Sequence, residues 1–264
     1  MKRIASLLLA AFVSSAVSAD GIEVDLELVM MVDVSRSMTE RELEIQRRGY
    51  AAALRSDAVY RAIQSGMLQR VALSYVEWSG TQEVIVDWRA VENPADLDGF
   101  ADALTSTFNP ALRRTSISEA LVFGAQSIER NIYDGLRKVI DVSGDGPNNL
   151  GRPVTWARDQ VLAKGIVVNG LPLMTREGMG SRWHLDDLDV YYRSCVIGGP
   201  GSFVIPVLDW SDFAEAVKRK LVLEIAAAPT EPVLYPAQYA PEAQYDCMIG
   251  EKIWDEFRRT WDMP

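Results

Sequence analysis

The chain has 264 residues, is 48% hydrophobic and 24% charged, and carries 12 prolines and 18 glycines, the make-up of an ordinary globular protein. That excludes wholesale disorder, collagen-like repeats and a disulfide-packed miniprotein. With 37 acidic against 27 basic side chains the formal charge is -10, which opposes partners that bind by phosphate neutralisation, so nucleic acid is not expected; a single histidine, His184, removes most zinc and proton-shuttle chemistry.

Lys2 and Arg3, the apolar run Ile4–Val13 and the small residues Val17-Ser18-Ala19 read as a cleaved secretory signal over residues 1–19, with the mature chain starting at Asp20. The run is about half of the roughly 20 apolar residues that a bilayer span needs. No later run is long or apolar enough to span, so the expectation is a periplasmic or secreted protein with no membrane span in its mature form. In an oxidising compartment Cys195 and Cys247 are expected to pair. Their loop of about 52 residues is worth roughly 4 kcal/mol in the chain-entropy account. The alternative is two buried thiols.

Leu26–Val32 is apolar apart from one Glu and predicts a strand buried on both faces, ending at Asp33. Thr39–Arg55 carries Leu43, Tyr50 and Leu54 at helical spacing. Arg70–Trp78 and Glu83–Trp88, separated by Ser79-Gly80, predict a β-hairpin. Asn93-Pro94 opens a helix through Leu104, a polar loop follows at 109–114, and Ser116 with Glu119 spells a capping box for a helix bearing Leu121, Ala125 and Ile128. Lys138–Ser143 predicts a second central strand, Asp145-Gly146-Pro-Asn-Asn its exit loop, Val154–Ala163 a helix, and Ile166–Leu171 a third central strand. Phe203–Val207 is expected to add a strand and Ser211–Ile225 a helix. This alternation predicts a doubly wound α/β fold, with a mostly parallel central sheet, helices on both faces and one antiparallel edge strand. After Ala228, Pro229, Pro232, Pro236 and Pro241 predict an extended arm, closed by a short helix with Ile253, Phe257 and Trp261 at a spacing of four. The tryptophans Trp78, Trp88, Trp156, Trp183 and Trp210 are expected in the core or at its rim.

The strongest chemical signal is Asp33-Val34-Ser35-Arg36-Ser37, directly after the first buried strand. In open α/β sheets ligands bind at the carboxyl ends of the strands. A carboxylate and two hydroxyls there make an all-oxygen cup suited to a hard divalent cation, Mg²⁺ first, with Mn²⁺ and Ca²⁺ as alternatives. Ser37 also has a plainer reading, as the N-cap that forms a capping box with Glu40.

The arrangement resembles the von Willebrand factor A domain and its metal-ion-dependent adhesion site, whose signature is Asp-x-Ser-x-Ser after the first strand. Arg-Arg-Thr115-Ser-Ile-Ser-Glu-Ala-Leu is similar to that family's Gly-Gly-Thr-x-Ile-x-x-Ala-Leu, and Val-Ile-Asp-Val-Ser-Gly-Asp145-Gly to its strand ending in Thr-Asp-Gly. The likeness covers roughly residues 24–226. It implies a metal site of Asp33, Ser35, Ser37, Thr115 and Asp145, open at one position to an oxygen ligand, expected to be a carboxylate of a partner protein. Two departures are Arg113 and Arg114 in place of glycines, and Gly144 in place of the Thr before Asp145. Asp141, about 13 Å upstream of Asp145 along the strand, is expected to be structural. The chain resembles more closely the exported bacterial DUF1194 family, through Tyr191-Tyr192-Arg193-Ser194-Cys195-Val196-Ile197-Gly198-Gly199-Pro200-Gly201. The organisation expected is a signal over residues 1–19, a von Willebrand A-like domain over 20–228, and an arm with a terminal helix over 229–264.

Enzymatic readings find less support. A phosphoryl-transfer enzyme of the haloacid dehalogenase type needs a second Asp where Ser35 stands, and no Gly-x-Ser-x-Gly elbow accompanies His184. Asp186, Asp187 and Asp189 lack the glycine turn and terminal Glu of a calcium loop. The expectation is a binding module and not an enzyme, with a metal-dependent periplasmic hydrolase as the alternative.

Overall fold

The computed structural model describes residues 21–106, 114–175, 184–226 and 245–261. The expected signal segment, Arg113, Trp183 and the proline-rich arm at 229–244 lie outside the described residues.

Strand β1 (Ile22–Val24) leads into β2 (Leu26–Asp33), whose eight residues are all buried. Side chains alternate across a strand, and β2 divides accordingly: Leu26, Leu28, Met30 and Val32 enter one hydrophobic cluster, Val29 and Met31 the other. Helices α1 (Glu40–Leu54) and α2 (Asp57–Gln64) follow, then the hairpin of β3 (Val71–Trp78) and β4 (Gln82–Val91), and helix α3 (Pro94–Thr105). Next come α4 (Ile117–Arg130), β5 (Tyr133–Gly135), β6 (Lys138–Gly144), α5 (Val154–Leu162) and β7 (Val167–Pro172). A helical turn α6 (Leu188–Tyr191) runs into a π-helical turn at Tyr192–Val196, and α7 (Phe213–Ala226) and α8 (Ile249–Trp261) complete the chain.

The main sheet has the order β4-β3-β2-β6-β7, parallel throughout except for the antiparallel β3–β4 pair. Helices α1, α3 and α7 supply Leu43, Tyr50, Leu97, Phe100, Phe213 and Val217 to one face. On the other face α4, α5 and the 188–196 segment supply Leu121, Ala125, Val161, Leu188 and Tyr191. The fold is therefore doubly wound, as the sequence predicts, with both faces of the sheet covered.

Several local expectations are corrected. Ile166–Leu171 is not a central strand, because β7 closes the sheet. Phe203–Val207 meets it only through isolated bridges at Val204 and Val207, and Pro206 can donate no ladder hydrogen bond. The α1 capping box is Thr39 with Glu42, two residues beyond the expected Ser37 and Glu40: Glu42 Oε2 accepts from Thr39 N at 2.6 Å, and Thr39 Oγ1 from Glu42 N at 3.3 Å. Ser116 is the N-cap residue of α4 but makes no capping bond; its hydroxyl donates to the Leu150 carbonyl at 2.8 Å. Asn148 Oδ1 caps that helix from another loop, accepting from Ser118 N at 3.0 Å. Trp78 and Trp210 are buried as expected, whereas Trp156 is 46% exposed beneath the Arg152 guanidinium.

Cys195 and Cys247 form the expected disulfide. It ties the π-helical turn to the residues just before α8. Among the described residues no helix is long and apolar enough to cross a membrane.

Candidate metal centre

Asp33 ends β2 and is fully buried. Its Oδ1 accepts from Ser35 N at 2.7 Å, and its carbonyl accepts from Gln46 Nε2 at 3.0 Å, so the turn after β2 is held both by its own side chain and by α1. Because the helix is capped by Thr39, Ser37 is released from capping. Its hydroxyl lies 3.0 Å from that of Ser35 and donates to Asp145 Oδ1 at 2.8 Å.

Asp145 follows the last residue of β6, the strand beside β2. Parallel pairing of these two strands brings both carboxylates to one end of the sheet. Thr115 reaches the same end by a different route. Its N–H donates to Asn149 Oδ1 at 3.2 Å and its carbonyl accepts from Asn149 N at 3.0 Å, so it is fastened to the loop that carries Asp145. Ser116 N donates to the Ser79 carbonyl at 3.0 Å, which anchors the same segment to the β3 exit. Ser35, Thr115 and Asp145 are all buried and Ser37 half-buried.

Burial first, and the charge of Asp145 second, push the Asp33 carboxyl well above its ordinary range. Burial also pushes Asp145 up, against the pull of the Ser37 hydroxyl and of nearby His184. Asp33 Oδ2 is buried with no hydrogen-bond partner. Two buried carboxylates in mutual repulsion, one with an orphaned oxygen, are costly unless a positive charge joins them. The donors are all oxygens, two of them anionic and three neutral hydroxyls, which fits a hard divalent cation. Among the described residues no three His, Cys, Asp or Glu side chains gather closely enough to hold a metal ion.

Asp141 is structural: it pairs at 2.6 Å with Lys220 of α7, both 1% exposed. Arg114, with φ of 80°, turns its guanidinium over the Trp254 ring of α8 at 4.3 Å. His184 Nε2 lies 2.5 Å from the Thr175 carbonyl. The sequence reading missed Gln46, Asn148 and Asn149, which position the loops. Asn148 and Asn149 were visible only as an exit-loop pair, and Gln46 carried no signal because it acts through a backbone carbonyl.

Sheet order and two-sided helical cover give the chain the fold of a von Willebrand factor A domain. The chain belongs to the family described as proteins of unknown function, DUF1194, whose model matches residues 23–229. The chain is similar in structure to proximal thread matrix protein 1 from the mussel byssus, with a TM-score of 0.56 at 13% identity over 78% of this chain and 49% of that one. The mussel protein with a zinc-occupied MIDAS motif, the metal-ion-dependent adhesion site, gives 0.53 at 13% identity over 78% and 49%. The pilus adhesin SpaC from Lactobacillus rhamnosus GG, in its open conformation, gives 0.55 at 14% identity over 77% of this chain and 30% of that one. The chain thus spans about half the length of the mussel protein it matches. At such identities the likeness is one of fold. A sequence search of curated proteins returns no match.

Proposed function

We propose that this chain is an exported binding module in which Asp33, Ser35, Ser37, Thr115 and Asp145 hold a divalent cation that takes an oxygen ligand, a carboxylate of a partner protein. The observation that carries this reading is Asp33 Oδ2, buried without a partner while Asp145 presses its pKa upward. A bound cation supplies the missing positive charge and an exchangeable coordination position. Asp33 and Asp145 balance that charge, and the three hydroxyls add neutral donors. Ser35 N, Gln46 and Asn149 hold the ligating side chains in place. Mg²⁺ is the expected ion, since a few protein oxygens with open positions suit its habit of keeping water. Export is supported by the signal-like first 19 residues together with the disulfide.

Binding is favoured over hydrolysis because both carboxylates of the cluster are committed to the cation and His184 is engaged by the Thr175 carbonyl. The test is the melting temperature of metal-free protein titrated with Mg²⁺, Mn²⁺, Ca²⁺ and Zn²⁺, followed by partner capture from the exported fraction with and without EDTA. A melting temperature that no divalent ion raises overturns the metal site. EDTA-sensitive turnover of phosphoesters or peptides moves the reading to a metal-dependent hydrolase.

A further inference from the structure

Gly144 ends β6, one residue before Asp145. A Cβ placed there would stand 2.9 Å from Asp33 Oδ2, 2.9 Å from the Tyr192 hydroxyl and 3.3 Å from Trp78 Cζ2. The two oxygens therefore both border the space that a side chain at 144 would fill. Both are buried and neither has a hydrogen-bond partner. A second glycine clears the way for the same ring: a Cβ on Gly170 of β7 would meet Tyr192 Cδ1 at 2.7 Å. Tyr192 is fully buried and opens the π-helical turn whose Cys195 is bridged to Cys247.

Space filling alone does not explain this placement. A phenylalanine would fill the same volume without burying an unpaired hydroxyl, which is costly. An acceptor bordering the same hollow at Gly144 is the orphaned oxygen of Asp33, to which a phenol can donate. A polar pair of this kind orients a ligating carboxylate in the way outer partners do at metal sites generally.

We propose that Tyr192 is a positioning residue for Asp33, its ring passing Gly170 and its hydroxyl delivered at Gly144 to donate to Asp33 Oδ2 and hold that carboxylate for the cation. The cation part rests on the reading under Proposed function, while the pairing of the two side chains does not. The motif Tyr191-Tyr192-Arg193-Ser194-Cys195 thereby gains a role that its position, far from the ligating loops in sequence, conceals.

Two measurements test it. The first is Mn²⁺ binding by calorimetry to chelator-stripped wild type and Tyr192→Phe. The second is urea unfolding of metal-free wild type, Tyr192→Phe, Asp33→Asn and the double variant. Tyr192→Phe is expected to weaken Mn²⁺ binding roughly 10–100-fold and to lower the urea midpoint of the metal-free protein, because buried Asp33 Oδ2 then loses its donor. The two substitutions are expected to act non-additively on the unfolding midpoint. Wild-type Mn²⁺ affinity in Tyr192→Phe, or additive midpoints, overturns the proposal. If wild type itself binds no Mn²⁺, the adhesion-site reading falls on its own, and the urea cycle alone decides the pairing: coupling upholds it and additivity ends it.

Discussion

Ser37 Oγ donates to Asp145 Oδ1 at 2.8 Å, across 108 residues of sequence. This bond joins the turn after β2 to the turn after β6. It exists because Thr39 caps α1 and leaves Ser37 unengaged. One hydroxyl thus links the two loops that carry the candidate ligands Asp33 and Asp145, to the extent that the helix cap lies elsewhere.

Replacing Asp33 by Ala should abolish the metal response without unfolding the domain. The change costs the Ser35 N–H bond, about 1 kcal/mol, and relieves the burial of a charge, first, and the repulsion from Asp145, second, that raise the Asp33 pKa. Metal-free stability is therefore expected to hold or rise slightly. Wild type should gain roughly 2.7 kcal/mol when free metal is 100 times Kd, read as a rise in melting temperature. A full metal-dependent shift in Asp33→Ala sinks the site.

Ser35→Ala and Thr115→Ala should weaken the same response less than Asp33→Ala does, because each removes a neutral donor that water can replace. Mn²⁺ titrations of the three variants side by side give the order, and a larger loss from either hydroxyl than from the carboxylate contradicts it.

Glu224 carries the pH prediction. On α7, Lys220 lies 2.6 Å from Asp141 and 2.5 Å from Glu224, one buried cation between two buried carboxyls. Burial pushes Glu224 up from 4.5 to about 7, against the pull of Lys220 and with Asp141 adding to the rise. A carboxyl whose pKa is raised on folding contributes stability that is full below about 4.5 and lost as pH rises to about 7. Each tenfold change in proton affinity is worth about 1.4 kcal/mol, so the loss is on the order of 3–4 kcal/mol. Glu224→Gln should remove that loss, leaving the variant at least as stable as wild type at pH 7.5 and relatively less favoured at pH 5. Urea midpoints of both proteins at the two pH values measure it; identical pH slopes refute it.

Asn148 should behave as the hub that docks α8. Its Nδ2 donates to Glu251 Oε1 at 2.7 Å and to the Arg152 carbonyl at 3.1 Å, while its Oδ1 caps α4. Asn148→Ala is expected to cost ~1–3 kcal/mol through the buried groups it strands. Gly250→Ala probes the same contact from the other side, since a Cβ there would come within 2.1 Å of the Asn148 carbonyl. Hydrogen exchange over residues 249–261 should rise in both variants, and unchanged protection would rule out the docking role.

Breaking the Cys195–Cys247 bridge by paired serines should cost roughly 4 kcal/mol on the chain-entropy account for its separation of 52 residues. Chemical unfolding reads the global loss, and exchange over α8 reads the release of its base. Two free thiols in denatured, unreduced protein would remove the premise.

Pattern-level features were legible before any coordinates. The buried, mostly apolar β2, the hairpin, the alternation of strands and helices and the Asp33-x-Ser35-x-Ser37 spacing follow from side-chain periodicity and from motifs whose members are neighbours in sequence. Short elements were not legible. The three-residue pair β1–β5 and the turn at Tyr192–Val196 are too brief to carry a period, and their pairing is tertiary.

Sequence by itself determined which residue types stand where the strands end, and with them the chemistry on offer: two carboxylates and three hydroxyls, all oxygen donors. Tertiary structure alone decided that Thr39 with Glu42, and not Ser37 with Glu40, caps α1, and so that Ser37 faces Asp145 and not its own helix. It also decided that Asn148 caps a helix 30 residues upstream and that the Tyr192 hydroxyl comes to the hollow at Gly144. The physical reason is range. Periodicity and capping spacings act over a few residues of chain, whereas a hydrogen bond or a cleared volume depends on atoms that only packing brings within 3 Å of each other.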